Sequence, residues 1–354
     1  MQGKGKHKRC KDAKRRGPIQ RAPYTISIMP LALTPAQART TFTNSLRLIF
    51  DHPEQRGLIH TEMQTWYRIF QQSTQVDAFD FNATPSIMLP TGEALGTAGA
   101  AFCLLEAQRT AVFLRGITQA IRDLQQHFPN ERIRILYAGC GPFATLLTPL
   151  TAIFTAQQVG WHLLDVNQNS LNSVHHLYQA LNLQPYLLDT QLADATTFVM
   201  PTTNPFHLVI SETMQRALQN EPQLAIMLNL IPQLQPRALF LPQCIAIHAA
   251  LLLPSNSSTD EVLPPTFQTL ATIYEVGQST ATPPQQTPLT IPPLDTPADL
   301  HLTTGIQVYK NETLSGNDTS ITLPKDLRRR LHGGEHLIFR YQWQPHPGFI
   351  CETA

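Results

Sequence analysis

The segment from Arg134 to Phe143 constrains the fold of this chain more than any other stretch. It reads RILYAGCGPF, a short apolar run that ends in Gly139 and Gly141 with one residue between them. Glycines in such a position let the backbone turn tightly after a strand and approach a ligand closely. Asp165 closes the next apolar run about one βαβ unit later, where an acidic side chain accepts hydrogen bonds from ribose hydroxyls. The segment therefore predicts a strand–turn–helix unit that binds a nucleoside-bearing cofactor.

The hydrophobic pattern around this segment alternates between short strand-like runs and amphipathic helices. The candidate strands are 133–138, 160–166, 185–189 and 207–211, and the candidate helices are 144–157, 169–181 and 222–234. A further strand-like run covers 238–250 and is interrupted by Pro242. Strands that alternate with helices favour a mainly parallel sheet with helices on both faces.

The regions before and after this alternating pattern differ from it and from each other. Upstream, helices are predicted over 34–50, with Thr34 as cap and Pro35 in first position, over 63–71, and over 93–128 with a break near Gly116. Residues 84–92 carry prolines and a glycine, which predicts a loop. Downstream, 253–300 is rich in Pro, Thr, Ser and Gln, and short strands are predicted at 302–309, 320–323 and 336–343.

These changes in pattern divide the chain into four parts. We predict a basic, disordered tail over 1–28, an N-terminal helical region over 29–130, a cofactor-binding domain over 131–250, and a β-rich C-terminal domain with Pro/Thr-rich loops over 251–354. Met29 is an alternative start of the chain.

The net charge of +1 conceals an asymmetry between the tail and the remainder of the chain. Residues 1–21 hold nine Lys/Arg and one acid, whereas the remainder holds seventeen Lys/Arg and twenty-four acids. The mildly acidic body is unlike a nucleic-acid-binding domain, although the tail has the charge to contact phosphates or an anionic membrane surface. No apolar run is long enough to span a membrane, and the five cysteines lie far apart. This composition predicts a cytoplasmic protein.

Further acidic residues follow the third and fourth candidate strands. Asp194 lies in the stretch ADAT, and the segment 211–221 reads SETMQRALQNE, with Glu212 near its start and Glu221 at its end. The carboxyl ends of strands are where open α/β sheets bind ligands. Ala144 stands three residues after Gly141, so the dinucleotide fingerprint G-x-G-x-x-A is formally present and a nicotinamide cofactor stays an alternative.

The segment 211–221 resembles the double-glutamate loop of the protein arginine methyltransferases. That loop reads S-E-x-M-x-x-x-L-x-x-E, and the matching residues are Ser211, Glu212, Met214, Leu218 and Glu221. Residues 105–113 (LEAQRTAVF) are similar to the family's helix before the glycine loop, with an acidic residue, then Arg-Thr, then an aromatic. The resemblance covers about residues 90–354 and is closest over 100–245.

The resemblance implies a class I S-adenosylmethionine-dependent methyltransferase of the α/β class. Its fold would be a Rossmann-like methyltransferase sheet with N-terminal helices and a C-terminal β-rich domain. In that family the arginine of the upstream motif pairs with the carboxylate of S-adenosylmethionine, a role that carries to Arg109. Asp165 would hold the ribose and Asp194 the adenine. Tyr137, where the family has Asp or Glu, would contact the methionine part.

The acceptor of such a transfer would lie against Glu212 and Glu221. A guanidinium is a poor nucleophile because its lone pair is delocalised, and two carboxylates can orient it, localise its charge and accept its proton. The family's paired tyrosines have no counterpart in 84–100, and its Thr-His-Trp loop is not evident. A small guanidine or amine is therefore at least as good a candidate for the acceptor as an arginine in a protein or peptide. Transfer of the cofactor's aminocarboxypropyl arm is a further alternative, and a non-catalytic scaffold that keeps the fold is another.

Four of these residues also have a structural alternative. Asp165 could cap the following helix, Arg109 could pair with Glu106 on a helix surface, and Glu221 could favour the positive end of a helix dipole. Asp194 could equally cap a turn. A metal site at His332, Glu335 and His336 lacks further ligands in the sequence, so no metal is predicted.

Overall fold

Two five-stranded sheets, one parallel and one antiparallel, organise the part of the chain that the structure describes. The computed structural model describes residues 33–253 and 265–354. The basic tail over 1–28, together with Cys10 and Met29, lies outside the described residues, as does part of the Pro/Thr-rich stretch. Among the described residues, no helix is long and apolar enough to cross a membrane.

Two N-terminal helices confirm the predicted helical pattern. Helix α1 spans Pro35–Asp51, and its capping box is complete because Thr34 and Gln37 each bond to the other's backbone N–H. Helix α2 spans Arg56–Thr74, which is longer than the predicted 63–71. The two helices bury an aromatic contact in which Phe42 packs edge-on against Trp66.

The predicted loop over 84–92 is wrong, because these residues begin a β-hairpin. Strand β1 (Ile87–Leu89) pairs antiparallel with strand β2 (Gly92–Ala94). The hairpin lies against a distant segment, since the backbone N–H of Glu93 donates to the carbonyl of Asn220 at 2.7 Å. A Cβ on Gly92 would lie 2.6 Å from that same oxygen, so the contact requires glycine. Such a contact between distant segments cannot be predicted from the local sequence pattern.

The helical stretch that follows breaks at a different place from the predicted one. Helix α3 (Thr97–Phe102) continues into a 3₁₀ turn over Cys103–Leu105, and helix α4 (Ala107–His127) runs without interruption through Gly116. A Cβ on Gly116 would lie 2.7 Å from Cγ1 of Val308. The glycine therefore allows a strand to approach the helix closely, and it does not break the helix.

The central parallel sheet confirms the predicted α/β class. Its strands are β3 (Ile133–Ala138), β4 (Val159–Asp165), β5 (Leu187–Leu192), β6 (Leu208–Ser211) and β7 (Leu239–Leu241). The order is β5-β4-β3-β6-β7, so the winding direction reverses between β3 and β6. Helix α5 (Gln168–Ala180) follows β4, and helix α6 (Gln223–Leu230) follows β6. Such a reversal opens a crevice at the carboxyl ends of the strands.

The helix predicted over 144–157 is wrong. Turns follow the glycine loop, and only a 3₁₀ segment, Thr148–Ala152, is helical. Ala144 has φ +43°, which interrupts a right-handed helix, and the Thr148 hydroxyl donates to the carbonyl of Phe143 at 2.5 Å. Side-chain bonds of this kind compete with the helical backbone pattern.

The C-terminal strands are antiparallel. They are β8 (Cys244–Leu252), β9 (Phe267–Gly277), β10 (Thr287–Thr290), β11 (Ala298–Tyr309), β12 (Glu312–Leu314), β13 (Lys325–Leu331), β14 (His336–Gln342) and β15 (Gly348–Thr353). The larger sheet has the order β12-β11-β8-β9, with β13 also paired to β11, and a smaller sheet has the order β10-β14-β15.

Three sequence expectations change in this region. Pro242 separates β7 from β8, as predicted. However, β8 belongs to the antiparallel sheet, so the chain leaves the parallel sheet before residue 250, where we predicted that the cofactor-binding domain ends. The strand predicted at 320–323 is a 3₁₀ turn, and the stretch 253–300 contains β9 and β10 besides its loops. Strand pairing therefore decides this region more than local composition does.

Candidate functional site

A cavity of about 620 Å³ lies at the carboxyl edge of the parallel sheet, where the strand order reverses. Its volume lies within the range of small-molecule sites in proteins. The structure brings all eight sequence-predicted site residues to its wall, and these are Arg109, Tyr137, Gly139, Gly141, Asp165, Asp194, Glu212 and Glu221.

The glycine loop forms the floor of this cavity with both glycines in the left-handed region. Gly139 has φ +74° and Gly141 has φ +64°. The N–H of Gly139 donates to the carbonyl of Leu164 at 2.8 Å, which fixes the turn to the end of β4. A Cβ on Gly139 would lie 2.3 Å from Cγ2 of Thr213, so the glycine loop and the segment after β6 are in direct contact.

Asp165 ends β4 and links this strand to the glycine loop. Its Oδ2 accepts from the N–H of Gly141 at 2.9 Å, and its Oδ1 accepts from the N–H of Asn167 at 2.8 Å. Burial raises the pKa of Asp165, and these backbone N–H groups oppose the rise. The cap of α5 is Asn167, whose side chain accepts from Asn169, so Asp165 does not cap the helix directly. Each carboxylate oxygen keeps capacity for a second donor.

Asp194 lies in the turn after β5 and is half-buried. Its Oδ1 accepts from the N–H of Thr196 at 2.8 Å, which is the turn-capping contact that its sequence context permits. It also lines the cavity on the same side as Ala193 and Ala195. The turn contact uses one oxygen and leaves the other available to a ligand.

Arg109 and Glu212 form a buried ion pair across the cavity wall. The Nη1 of Arg109 lies 3.2 Å from Oε2 of Glu212, and its Nη2 donates to the carbonyl of Cys103 at 2.8 Å. The side chains are 6% and 9% exposed. The anticipated surface pair with Glu106 does not form, because Glu106 instead accepts from the N–H of Ser320 at 3.0 Å.

The second carboxylate oxygen of Glu212 is buried and has no hydrogen-bond partner among the described residues. Burial raises the pKa of Glu212, and the Arg109 guanidinium opposes that rise without cancelling it. A buried acceptor without a donor costs free energy comparable to a lost hydrogen bond, so such groups are rare in folded proteins. Glu212 is therefore placed to accept a hydrogen bond from a ligand in the cavity.

Glu221 is the other carboxylate of this loop, and it is 7% exposed. Burial, followed by repulsion from Glu212, raises the pKa of Glu221 to about 7. It stands two residues before α6, which begins at Gln223 and has no acidic residue in its first turn. Glu221 directly precedes Pro222, the N-cap residue of α6, so an interaction of its carboxylate with the positive end of this helix is compatible with its position.

The loop between these glutamates adopts a strained backbone that the C-terminal strands hold in place. Ala217, Leu218 and Asn220 have φ of +55°, +52° and +62°. The N–H of Ala217 donates to Oγ1 of Thr304 in β11, and the hydroxyl of Tyr341 in β14 donates to the carbonyl of Leu218. Non-glycine residues in this region store strain, which proteins retain mainly at functional sites.

Tyr137 points from β3 towards the cavity and is buried to 4% exposure. Its burial raises the pKa of the hydroxyl well above the usual value, and the nearby Glu212 adds to the rise. Among the described residues its hydroxyl has no hydrogen-bond partner. The neutral phenol is thus available as a donor to a ligand.

Several residues that line the cavity were not predicted from the sequence to belong to the site. Glu93 lies on β2, where the sequence predicts the start of a helix, Glu106 was treated as a surface residue, and Arg216 lies within the double-glutamate segment but was given no role. At the mouth, the rings of Phe81 and Phe102 lie 6.0 Å apart. Of these residues, only Arg216 could have been predicted from the sequence, because it lies between Glu212 and Glu221 in the same short segment.

Within the described ranges, no cluster of His, Cys, Asp and Glu could hold a metal ion. The carboxylate of Glu335 accepts from the N–H groups of His332 and Gly333 at 2.7 and 2.9 Å, so it stabilises a turn. His336 instead contacts the hydroxyl of Thr290.

Comparisons with known proteins add little to this geometry. No family model matches the chain, and no curated protein matches its sequence. Among solved structures, the chain is similar to one from the Trypanosoma brucei PRMT1 enzyme–prozyme heterotetrameric complex with AdoHcy. The identity is 12% and the TM-score is 0.40, over 65% of this chain and 86% of that chain. Similarity at this level supports no conclusion about the activity of this chain.

Proposed function

We propose that this protein is an S-adenosylmethionine-dependent methyltransferase that acts on a nitrogen of a guanidine or amine. The observation that carries the proposal is the convergence of two buried carboxylates, Glu212 and Glu221, with Arg109 and Asp165 in one cavity at the carboxyl edge of the sheet. Carboxylates with raised pKa values in a cleft are candidates for proton transfer and for cation binding.

The residues around the cavity fit the parts of this cofactor. Asp165 would accept from the ribose hydroxyls, Asp194 would contact the adenine, and the glycine loop would let the backbone approach closely. Arg109 would bind the carboxylate of the methionine part, beside Tyr137. When bound, the cofactor supplies an electrophilic methyl carbon, and the sulfur retains the electron pair of the broken carbon–sulfur bond.

The two glutamates would prepare the acceptor. The unpartnered Oε1 of Glu212 would accept from an acceptor N–H, and the pair would localise positive charge away from the reacting nitrogen. The proton that the nitrogen loses would pass to Glu221, whose pKa of about 7 suits a base at neutral pH. Holding the nitrogen in line with the methyl group contributes on the order of 7–11 kcal/mol to lowering the barrier.

The backbone after the glycine loop weighs against the nicotinamide alternative. A dinucleotide fold binds its pyrophosphate at the N-terminus of the helix that follows the glycines. Here that segment consists of turns and a short 3₁₀ helix. S-adenosylmethionine has no phosphate, so it does not require such a helix.

The buried charges weigh against a scaffold without a ligand. Retaining Glu212 with an unpartnered oxygen, next to a second buried carboxylate, destabilises a fold that has no use for them. A scaffold would gain stability by replacing these residues with apolar ones.

Calorimetric titration with S-adenosylhomocysteine and with NAD tests the cofactor, and transfer of an isotopically labelled methyl group to a metabolite and peptide pool tests the activity. We expect S-adenosylhomocysteine to bind and NAD not to bind. Glu212→Gln should lower methyl transfer by about 10²–10³-fold while cofactor affinity stays within a few-fold. The exposed Glu54→Gln is the matched control and should change neither. Binding of NAD alone would contradict the proposal.

A further inference from the structure

Arg216 is a cation of the cavity wall that the proposed chemistry does not use. It lies between Glu212 and Glu221 in the same loop and is half-buried. Within the described part of the chain, its side chain has no ion pair and no hydrogen-bond acceptor. Arg109 differs in this respect, because Glu212 and the carbonyl of Cys103 both engage its guanidinium. Arg216 thus has its full set of donors free for a ligand.

A second cation, Lys325, lies close to Arg216. Its Nζ donates weakly to the carbonyl of Phe349 at 3.4 Å, and none of the described acidic groups forms an ion pair with it. Burial, and then repulsion from Arg216, lower the pKa of Lys325. Lys325 does not itself line the cavity, but its positive charge adds to that of Arg216 and so favours an anion beside Arg216.

Apart from Arg109, the other charged residues on the described part of the cavity wall are acidic. Within residues 33–253 and 265–354, six acidic side chains line the wall beside two arginines, and they are Glu93, Glu106, Asp165, Asp194, Glu212 and Glu221. A cationic ligand group is favoured against Glu212 and Glu221, whereas an anionic group is favoured at Arg216. The cavity is therefore complementary to a molecule with separate positive and negative ends.

We propose that the acceptor is a small zwitterion that carries a guanidine or amine at one end and a carboxylate at the other. Glu212 and Glu221 hold the nitrogen end, and the fork of Arg216 holds the carboxylate by paired hydrogen bonds. This inference rests on the proposed function, and it narrows the acceptor from any guanidine or amine to free guanidino or amino acids.

The same contact discriminates against an arginine within a peptide. There the carboxyl group is part of a neutral amide, which leaves the charge of Arg216 without a counter-ion inside the cavity. A site that is built to pair a charged group rejects an analogue that lacks the group, because the protein's own polar group is then left unpaired.

The test is calorimetric binding of matched ligand pairs to the full chain saturated with S-adenosylhomocysteine. The probes are guanidinoacetate and L-arginine, each beside its carboxamide. For at least one pair we expect the acid to bind about 10- to 100-fold more tightly than the amide, as charge-assisted hydrogen bonds require. Arg216→Gln should abolish this preference, and Arg216→Lys should keep part of it because the charge remains without the fork.

Two controls separate this inference from folding defects and from the proposed function. Arg122→Gln removes the same charge from an exposed position on α4 and should leave the acid preference intact. Thermal melting should show Arg216→Gln to be folded, since no described contact is lost.

Equal binding of acid and amide, no binding of either acid, or a preference that survives Arg216→Gln would each overturn the inference. Absence of S-adenosylhomocysteine binding would instead overturn the proposed function.

Discussion

The carboxyl edge of the parallel sheet and the inner face of the antiparallel sheet are both buried, but they are built from different residues. On β8 and β11, alternate side chains such as Ile245, Ile247, Leu300 and Leu302 point inwards and are almost fully buried. These aliphatic groups gain stability in proportion to the area removed from water.

The cavity edge buries charge instead. Asp165, Glu212, Glu221 and Arg109 are each less than a tenth exposed. A buried ion pair rarely repays its desolvation, and replacing it with apolar residues often stabilises a protein. The comparison teaches that equal burial has opposite consequences in the two regions. Buried aliphatic groups stabilise the antiparallel sheet, whereas buried charges reduce stability at the cavity edge, where we propose that a ligand binds.

The largest effect should come from breaking the buried ion pair on one side only. Arg109→Leu leaves Glu212 charged and without a counter-ion, so the free energy of unfolding at pH 8 should fall by about 3–5 kcal/mol in urea denaturation. S-adenosylhomocysteine binding should also be lost. The double variant Arg109→Leu/Glu212→Leu should recover most of the stability but not the binding. If the double variant is as unstable as the single one, the pair is structural and the comparison fails.

A truncation in the antiparallel sheet should separate stability from ligand binding. Leu300→Ala opens a cavity in a fully buried position, which should lower the free energy of unfolding by about 3 kcal/mol. Affinity for S-adenosylhomocysteine, measured well below the melting temperature, should stay within a few-fold. A large loss of affinity would show that the two regions are coupled.

The glycine loop offers a matched pair of substitutions. Gly139→Ala should cost about 2–3 kcal/mol, because the new methyl group meets Thr213 and the residue has a positive φ. Gly316 also has a positive φ, of +55°, but has open space around it, so Gly316→Ala should cost only about 1 kcal/mol. Cofactor binding should fall in the first variant alone. Equal effects of the two substitutions would mean that the contact with Thr213 is unimportant.

The smallest effect concerns the pH dependence of stability. The pKa of Glu221 is raised in the folded protein, so the folded state binds more protons than the unfolded state, and stability falls as pH rises from about 4.5 to about 7. Glu221→Gln should therefore stabilise the protein at pH 8 by on the order of 1–2 kcal/mol and should have little effect at pH 4. The exposed Glu54→Gln serves as the control. A destabilising effect at pH 8 would contradict the raised pKa.

The sequence predicted well those elements whose signals are local. Strand β3 and the cap of α1 match their predicted residues, because an apolar run before a glycine turn and a Thr-Pro cap act within a few positions. The β1–β2 hairpin and the continuous α4 were missed. Both depend on glycines that permit close contact with strands or loops far away in the chain.

The candidate site shows the same division. Its residues could be selected from the sequence because glycine turns and acidic residues at strand ends converge on one edge of a parallel sheet. The hydrogen-bond and ion-pair partners of these residues could not be predicted in this way, because they come from other parts of the chain. Arg109 pairs with Glu212 and not with Glu106, and Asn167 takes the capping role considered for Asp165.

The sequence by itself determined the parallel sheet, the glycine loop and the identity of the acidic residues at its edge, since hydrophobic period and turn chemistry act locally. Only the tertiary structure decided that, among the described residues, Oε1 of Glu212 has no donor and Arg216 has no acidic partner, and that turns instead of an α-helix follow the glycine loop. The physical reason is that burial and pairing of a charge depend on residues far apart in the chain, which meet only when the two sheets and the helices pack together.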